Sequence, residues 1–557
     1  MDMEGLYMDN EKLAGLLFGD IEKTPADYEA LYPERKLPSG AKVTRFAPSP
    51  TGFLHIGGLF AAFVGERTAR KSGGVFFLRI EDTDKKREVE NGVSGIVKGI
   101  GDFGIKIDEG MISETESTGD YAPYTQSQRK EIYRTYCKEL VKKGLAYPCF
   151  CTAEELESKR CEQEKNKQNP GYYGEFAKSR DLSYEEIEKN IKDGKPYVVR
   201  LKSPGSEENR IKFDDLIKGE IEMPENVQDI VLLKTDGIPT YHFAHAVDDH
   251  LMRTTDVIRG DEWISSVPIH LQLFEVLGFD APQYAHISPI MKEDSETGGK
   301  RKLSKRKDPE AAVSYYHEVG YPKEAVLEYL LTIANSNFEE WRAQNPDAEM
   351  DDFDFKLSNM SKAGALFDLM KLNDISKNYI CTLTKEEVFK RTLDWASSYD
   401  SEFAKLLEEN RDYAIRIFGI ERGNEKPRKD IAKWQDTVEY TRYFFYSPES
   451  YEWQENLSNA DMVEILSEYK KIYDDKETAE DWFPKVRDMA ERLGYAKAPK
   501  LYKKNPDDFK GHVGDVASVI RVAVTGRRNT PDLYEIIQVL GYDEFIKRID
   551  KAISILK

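Results

Sequence analysis

The chain has 557 residues and a formal net charge of −20, with 33% of its side chains charged. That length supports about three to five domains of roughly 100–200 residues, and the acidity excludes a general nucleic-acid coat, confining any RNA contact to a local basic face. A mean hydropathy of −0.63 with no run of about 18 apolar residues argues against a membrane span, and five cysteines fit reduced thiols in a cytoplasm better than a disulfide framework.

Residues 1–40 read as a short helical extension built on Leu13, Leu16, Leu17 and Ile21, without the pattern of a secretory signal. Residues 42–47 predict a strand, and Pro48-Ser49-Pro50-Thr51-Gly52 is a dense turn signal. From His55 the pattern is helical, with Leu59, Ala62, Phe63, Arg67 and Arg70 at spacings of three and four. Gly73-Gly74 stops that helix, and the apolar run Val75–Ile80 predicts a buried parallel strand ending in Glu81-Asp82-Thr83-Asp84. This strand-turn-helix-strand unit begins a doubly wound α/β domain. Residues 147–230 are more polar and read as an insertion. Strand character returns at 230–233 and 256–259, a helix is expected over 266–277, and beyond about residue 320 the periodicity is helical to Lys557.

Two segments carry the chemistry of phosphate binding. At His55-Ile56-Gly57-Gly58 a helix begins, and its unpaired N–H groups and partial positive charge attract phosphate. His55 adds a donor, and the glycines allow close approach. In Lys300-Arg301-Lys302-Leu303-Ser304-Lys305-Arg306-Lys307, six of eight residues are basic. Such a loop can neutralise charge that develops on a polyphosphate. A solvated basic run is the plainer reading, but Leu303 and Ser304 inside it suggest an apolar anchor and a hydroxyl in a shaped loop.

The run Gly99-Ile100-Gly101-Asp102-Phe103-Gly104 imitates a dinucleotide fingerprint. It follows a helical pattern instead of a strand, so its glycines are expected to end a helix. Cys149, Cys151 and Cys161 offer three thiolates, but a fourth zinc ligand is missing, so reduced thiols are expected and no metal site is assigned. Arg45 and Arg259 fall at predicted strand ends, which face the ligand crevice of an open α/β sheet. Arginine there suits a carboxylate, and Glu81 at another strand end suits an ammonium group. Together they match an amino acid with two carboxylates.

Arg45 through Gly58 strongly resembles the "HIGH" segment of bacterial-type glutamyl-tRNA synthetases, which are class I aminoacyl-tRNA synthetases. Further segments resemble that family in order: Leu78–Asp84, Tyr241-His242, Val247–His250, Asp256–Trp263, the "KMSKS"-like Lys302–Arg306, Ser361–Asp368 and Arg521–Gly526. The resemblance implies an α/β Rossmann-type doubly wound parallel-sheet catalytic domain in two halves, 41–146 and 231–290. An inserted α/β acceptor-stem domain at 147–230 separates them. A loop and stem-contact region at 291–375 and all-α anticodon-binding domains at 376–557 follow.

It further implies ATP and Mg2+ as cofactors, and L-glutamate and tRNA(Glu) as partners of a cytoplasmic monomer. Whether tRNA(Gln) is charged too depends on anticodon contacts. His55 and Lys305 take the catalytic roles. ATP falls to Ser49, Thr51, His55, Gly57, Gly58, Trp263, Lys302, Ser304 and Lys305. Glutamate falls to Arg45, Ala47, Ser49, Glu81, Tyr241, His245 and Arg259, with His245 standing where the family often has Asn. A glutaminyl-tRNA synthetase and a non-enzymatic tRNA-binding paralogue are the alternatives. The turn sequence and helical C-terminal half weigh against the first, and the two intact phosphate segments against the second.

Overall fold

The computed structural model describes residues 3–52, 54–84, 89–294, 296, 298–304 and 306–557. Lys305 therefore lies outside the described residues. The chain forms two compact units, one of Met1–Tyr315 with Leu327–Asp368 and the other of Tyr316–Val326 with Leu369–Lys557.

In the first unit, α1 (Met3–Leu17) and α2 (Pro25–Leu31) precede β1 (Val43–Phe46), α3 (Ile56–Lys71), β2 (Val75–Leu78), α4 (Gly92–Gly101), β3 (Glu109–Met111) and β4 (Ser117–Thr118). Next come α5 (Lys130–Lys142), β5 (Ala146–Cys149), α6 (Ala153–Lys165), α7 (Tyr184–Lys192), β6 (Val198–Leu201), β7 (Arg210–Asp215), β8 (Gly219–Pro224) and β9 (Val231–Leu233). Then follow α8 (Tyr241–Leu251), β10 (Asp256–Gly260), α9 (Val267–Leu277), β11 (Gln283–Ile287) and the hairpin β12 (Met291–Glu293) and β13 (Lys300–Lys302).

The main sheet of the first unit is parallel. β1 pairs with β2, β2 with β3, and β10 with β11. Thr255 donates its N–H to the Val43 carbonyl at 2.9 Å, which lays β10 along the open edge of β1. The order β3-β2-β1-β10-β11 therefore reverses direction between β1 and β10, and that crevice is where a doubly wound sheet binds ligands. α3 crosses between β1 and β2 with Ile56, Leu59, Phe60 and Phe63 buried, each contributing roughly 1.5–3 kcal/mol of burial.

The polar segment after residue 146 builds more than loops. β5, β6 and β9 form an antiparallel sheet, so the strand predicted at 230–233 belongs here and not with the parallel strands. The hairpin β7–β8 joins the parallel strands instead, through a parallel pairing of Asp215 with Tyr284 on β11. The N-terminal extension is a packed element: Leu13, Ala14, Leu17, Phe18, Ile21, Tyr28 and Tyr32 are buried, and α1 and α2 lie against α5. Glu29 braces His250 and Arg253 at 2.7 and 2.8 Å, and Arg35 forks onto Glu109 at 2.7 and 2.9 Å.

The imitation fingerprint resolves as expected. α4 ends at Gly101, and Gly104 (φ +76°) donates to the Gly101 carbonyl at 2.8 Å. The second unit is helical. Two apolar cores serve it, one around Val388, Trp395, Leu407 and Phe418, the other around Ile465, Val486, Val519, Ile536 and Phe545. A capping box at Thr384 with Glu387 starts the helix Lys385–Tyr399, a satisfied start signal.

Candidate active site

A cavity of about 450 Å3 opens at the crevice between β1 and β10. Arg45, Ala47, Ser49, His55, Gly57, Gly58, Glu81, Tyr241, Arg259, Trp263 and Lys302 all line it. Residues proposed from sequence at five separate places thus meet around one space. Thr51 is exposed in the turn, and Ser304 and His245 do not reach the wall.

His55 is the N-cap of α3. Its Nδ1 accepts the Gly57 N–H at 2.9 Å. In the neutral ring the proton therefore sits on Nε2, the nitrogen suited to donate to a phosphate oxygen. A side chain at Gly58 would meet Leu54 at 3.0 Å and Phe46 at 3.6 Å, so the missing Cβ serves packing as well as ligand approach. The carbonyl of Leu54 accepts from Val313 N–H at 3.1 Å, which ties this turn to the chain just beyond the basic run.

That run is a shaped element. Lys300–Lys302 is a strand paired antiparallel with Met291–Glu293. Leu303 is 2% exposed, and its N–H bonds the Ile290 carbonyl at 3.0 Å. Asp308 closes the loop from both ends: it accepts a fork from Arg301 at 2.6 and 2.8 Å and the Ser304 N–H at 2.9 Å. Arg301 holds the Asp308 carboxyl well below its ordinary range.

Beneath the cavity lies a buried ionic network that sequence reading did not single out. Arg79, fully buried, donates to Asp249 at 2.6 Å and to Glu81 at 3.2 Å. Arg45 meets both Asp249 oxygens through Nε at 3.2 Å. Asp248 accepts from Arg129 at 2.7 Å, Tyr133 at 2.7 Å and Gln126 at 2.9 Å. Unpaired buried charge is costly, and here each carboxylate faces a guanidinium. Burial pushes the Glu81 carboxyl up, against the pull of Arg79 and Arg45. Burial would also raise Asp249, but Arg45, Arg79 and His245 hold it well below its usual range. The signal for this network in the sequence is charge inside apolar stretches: Arg79 between Leu78 and Ile80, and the Asp248-Asp249 pair on a helix.

Arg45 and Arg259 are not equivalent. The Nε of Arg45 is used by Asp249, and among the described residues its terminal nitrogens have no hydrogen-bond partner. Arg259 is engaged on all three nitrogens, by His286, Tyr241, Trp263 and His270. His245, fully buried, lies 2.8 Å from Asp249 through Nδ1 and 3.1 Å from the Tyr284 hydroxyl through Nε2. Its ring stacks under Tyr241 with centroids 6.0 Å apart, so it supports the cavity wall from behind.

Cys149 and Cys151 pack with Tyr172 in one cluster that does not include Cys161. Cys149 is buried, and Cys151 lies 3.3 Å from the Tyr172 hydroxyl and 3.8 Å from that of Ser179. Cys161 is exposed on α6 against Glu157.

Residues 42–374 match the family described as tRNA synthetases class I (E and Q), catalytic domain, and residues 402–553 match an anticodon binding domain. A glutamate--tRNA ligase of Clostridium beijerinckii is 53% identical over 555 residues, covering 98% of this chain and 100% of that protein. The chain belongs to the class I glutamate--tRNA ligase family. Another member, from Acetivibrio thermocellus, is 50% identical over 549 residues, with 98% and 100% covered. A crystal structure of a glutamate tRNA ligase from Elizabethkingia meningosepticum, in complex with its amino acid, aligns with TM-score 0.75 at 32% identity, covering 93% of this chain and all of that one. Family membership explains why a parallel catalytic layer and a helical unit share one chain.

Proposed function

We propose that the cavity activates L-glutamate with ATP and that the chain transfers the glutamyl group to the 3′-terminal adenosine of tRNA(Glu). The observation that carries this reading is the convergence of two arginines and Glu81 with the His55 helix start around one cavity. The open fork of Arg45 suits one substrate carboxylate, Arg259 the other, and Glu81 the ammonium group. The ammonium offsets the burial that raises Glu81.

A carboxylate oxygen of glutamate attacks the α-phosphorus of ATP, forming glutamyl-adenylate as pyrophosphate leaves. The terminal ribose hydroxyl of the tRNA then takes the glutamyl group and AMP departs. No side-chain nucleophile is required, because positioning supplies roughly 7–11 kcal/mol of such a barrier. The His55 Nε2–H, Lys302 and Lys305 meet the charge that builds on the phosphates. Mg2+ would supply charge neutralisation on the triphosphate, and since the described residues hold no cluster of three or more His, Cys, Asp or Glu that could hold a metal ion, its ligands would come chiefly from phosphate oxygens and water.

Aminoacylation of purified tRNA(Glu) and tRNA(Gln), each with glutamate and with glutamine, tests the reading. Glutamate on tRNA(Glu) is the expected product. Preferential use of glutamine would overturn it, and glutamate on tRNA(Gln) as well would widen the tRNA range without changing the amino acid.

A further inference from the structure

We propose that Asp215, His286, His270 and His242 form a relay that holds the Arg259 guanidinium in place at the glutamate subsite. The proposal rests on the reading of Arg259 as a glutamate ligand. Arg259 donates through Nε to His286 Nε2 at 3.1 Å and through Nη2 to His270 Nδ1 at 3.2 Å. An imidazole nitrogen accepts such a bond when it carries no proton, so both rings are neutral and their tautomers follow. His286 bears its proton on Nδ1, which donates to Asp215 Oδ2 at 2.6 Å. His270 bears its proton on Nε2, which donates to His242 Nδ1 at 2.9 Å. Burial, which disfavours the charged ring, lowers the proton affinity of all three histidines.

Asp215 is itself locked. Its Oδ1 accepts the N–H groups of Ile217 and Lys218 at 3.0 and 2.8 Å. It stands at the end of β7, so the hairpin from the inserted segment reaches the glutamate subsite through His286. The relay also sets polarity at the cavity. Two further bonds from Arg259 go to the Trp263 carbonyl at 3.3 Å and the Tyr241 hydroxyl oxygen at 3.2 Å. Four of the five guanidinium N–H groups are then used. Because Tyr241 accepts from Arg259, its own O–H proton is turned to donate elsewhere. A substrate carboxylate meets one arginine N–H and one tyrosine O–H, side by side. His286, His270 and Asp215 are positioning residues in this scheme, since they act through Arg259.

The test is steady-state aminoacylation of tRNA(Glu) by the whole chain, with glutamate and ATP varied separately. His286→Leu removes the acceptor, whereas His286→Gln returns an amide oxygen near the place of Nε2. His286→Leu is expected to raise the KM for glutamate about tenfold or more, as loss of a hydrogen bond to a charged group does, with the KM for ATP nearly unchanged. His286→Gln is expected to recover most of that loss. In an Arg259→Ala background, His286→Leu is expected to add nothing. Equal effects of Leu and Gln, or the same increase in both backgrounds, would overturn the relay and leave the role of Arg259 standing. An unchanged glutamate KM in Arg259→Ala alone would overturn the underlying reading instead. If thermal melting shows His286→Leu unfolded, His270→Leu against His270→Asn makes the same comparison at the other end of the guanidinium.

Discussion

At the scale of single residues, the division of labour between Arg45 and Arg259 is the sharpest feature of the cavity. Arg45 spends its Nε on Asp249 and, among the described residues, leaves its terminal fork without a hydrogen-bond partner, an arrangement a lysine cannot reproduce with one ammonium group. Arg45→Lys is expected to raise the glutamate KM by about tenfold to a hundredfold, on the scale of a lost charge-assisted bond. It should also lower the melting temperature, because Asp249 loses one of its two guanidinium partners. A variant with wild-type glutamate kinetics would remove Arg45 from the subsite. Both arginines are legible in the sequence because they end parallel strands, a position that points at the crevice whatever lies around it. Their inequality is not legible there, because it depends on Asp249 and His286, which lie 204 and 27 residues away.

Among elements, the basic run gains its shape from Asp308. The carboxylate ties Arg301 to Ser304 N–H, and the buried Leu303 pins the chain between them. Asp308→Ala is expected to loosen this loop and lower kcat by about tenfold or more, since misplaced charge stabilises a phosphoryl transition state poorly. The KM for glutamate should stay near its wild-type value, and a parallel rise in it would show that the loop shapes the amino-acid subsite too. One apolar residue in a basic tract is enough to mark an anchored loop, because a solvated tract has no use for a leucine. The strand pairing of Lys300–Lys302 with Met291–Glu293 is hidden in the sequence, because three charged residues carry no strand periodicity.

For the whole molecule, burial of neutral histidines sets an acid limit. His245 is lowered to about 3 by burial, outweighing its nearness to Asp249, from an ordinary value of 6.5. As pH falls below about 6.5 the unfolded chain takes up this proton first. Stability therefore falls with pH across the window from about 6.5 to 3, by about 1.4 kcal/mol per pH unit for one such ring. Asp249, held low by Arg45 and Arg79 after burial is overcome, adds a loss in the same direction below its unfolded range. Urea unfolding at pH 7.0 and 5.5 should show this drop, and His245→Asn should remove about 1.3 kcal/mol of the stability difference between the two pH values. Parallel slopes in the two proteins would place the acid sensitivity elsewhere.

The sequence by itself determined the parallel α/β layer, the helical second half and the strand-end residues of the site. Each of these follows from local order, in periodicity, turn signals and motif spacing, which a chain carries wherever it folds. Tertiary structure alone decided which polar groups share a buried space. The Arg79–Asp249–Arg45 network and the docking of the hairpin Arg210–Pro224 beside His286 bring together residues far apart in the chain. Whether a charge is costly or useful depends on the partner that burial brings to it, and that partner is not a local property.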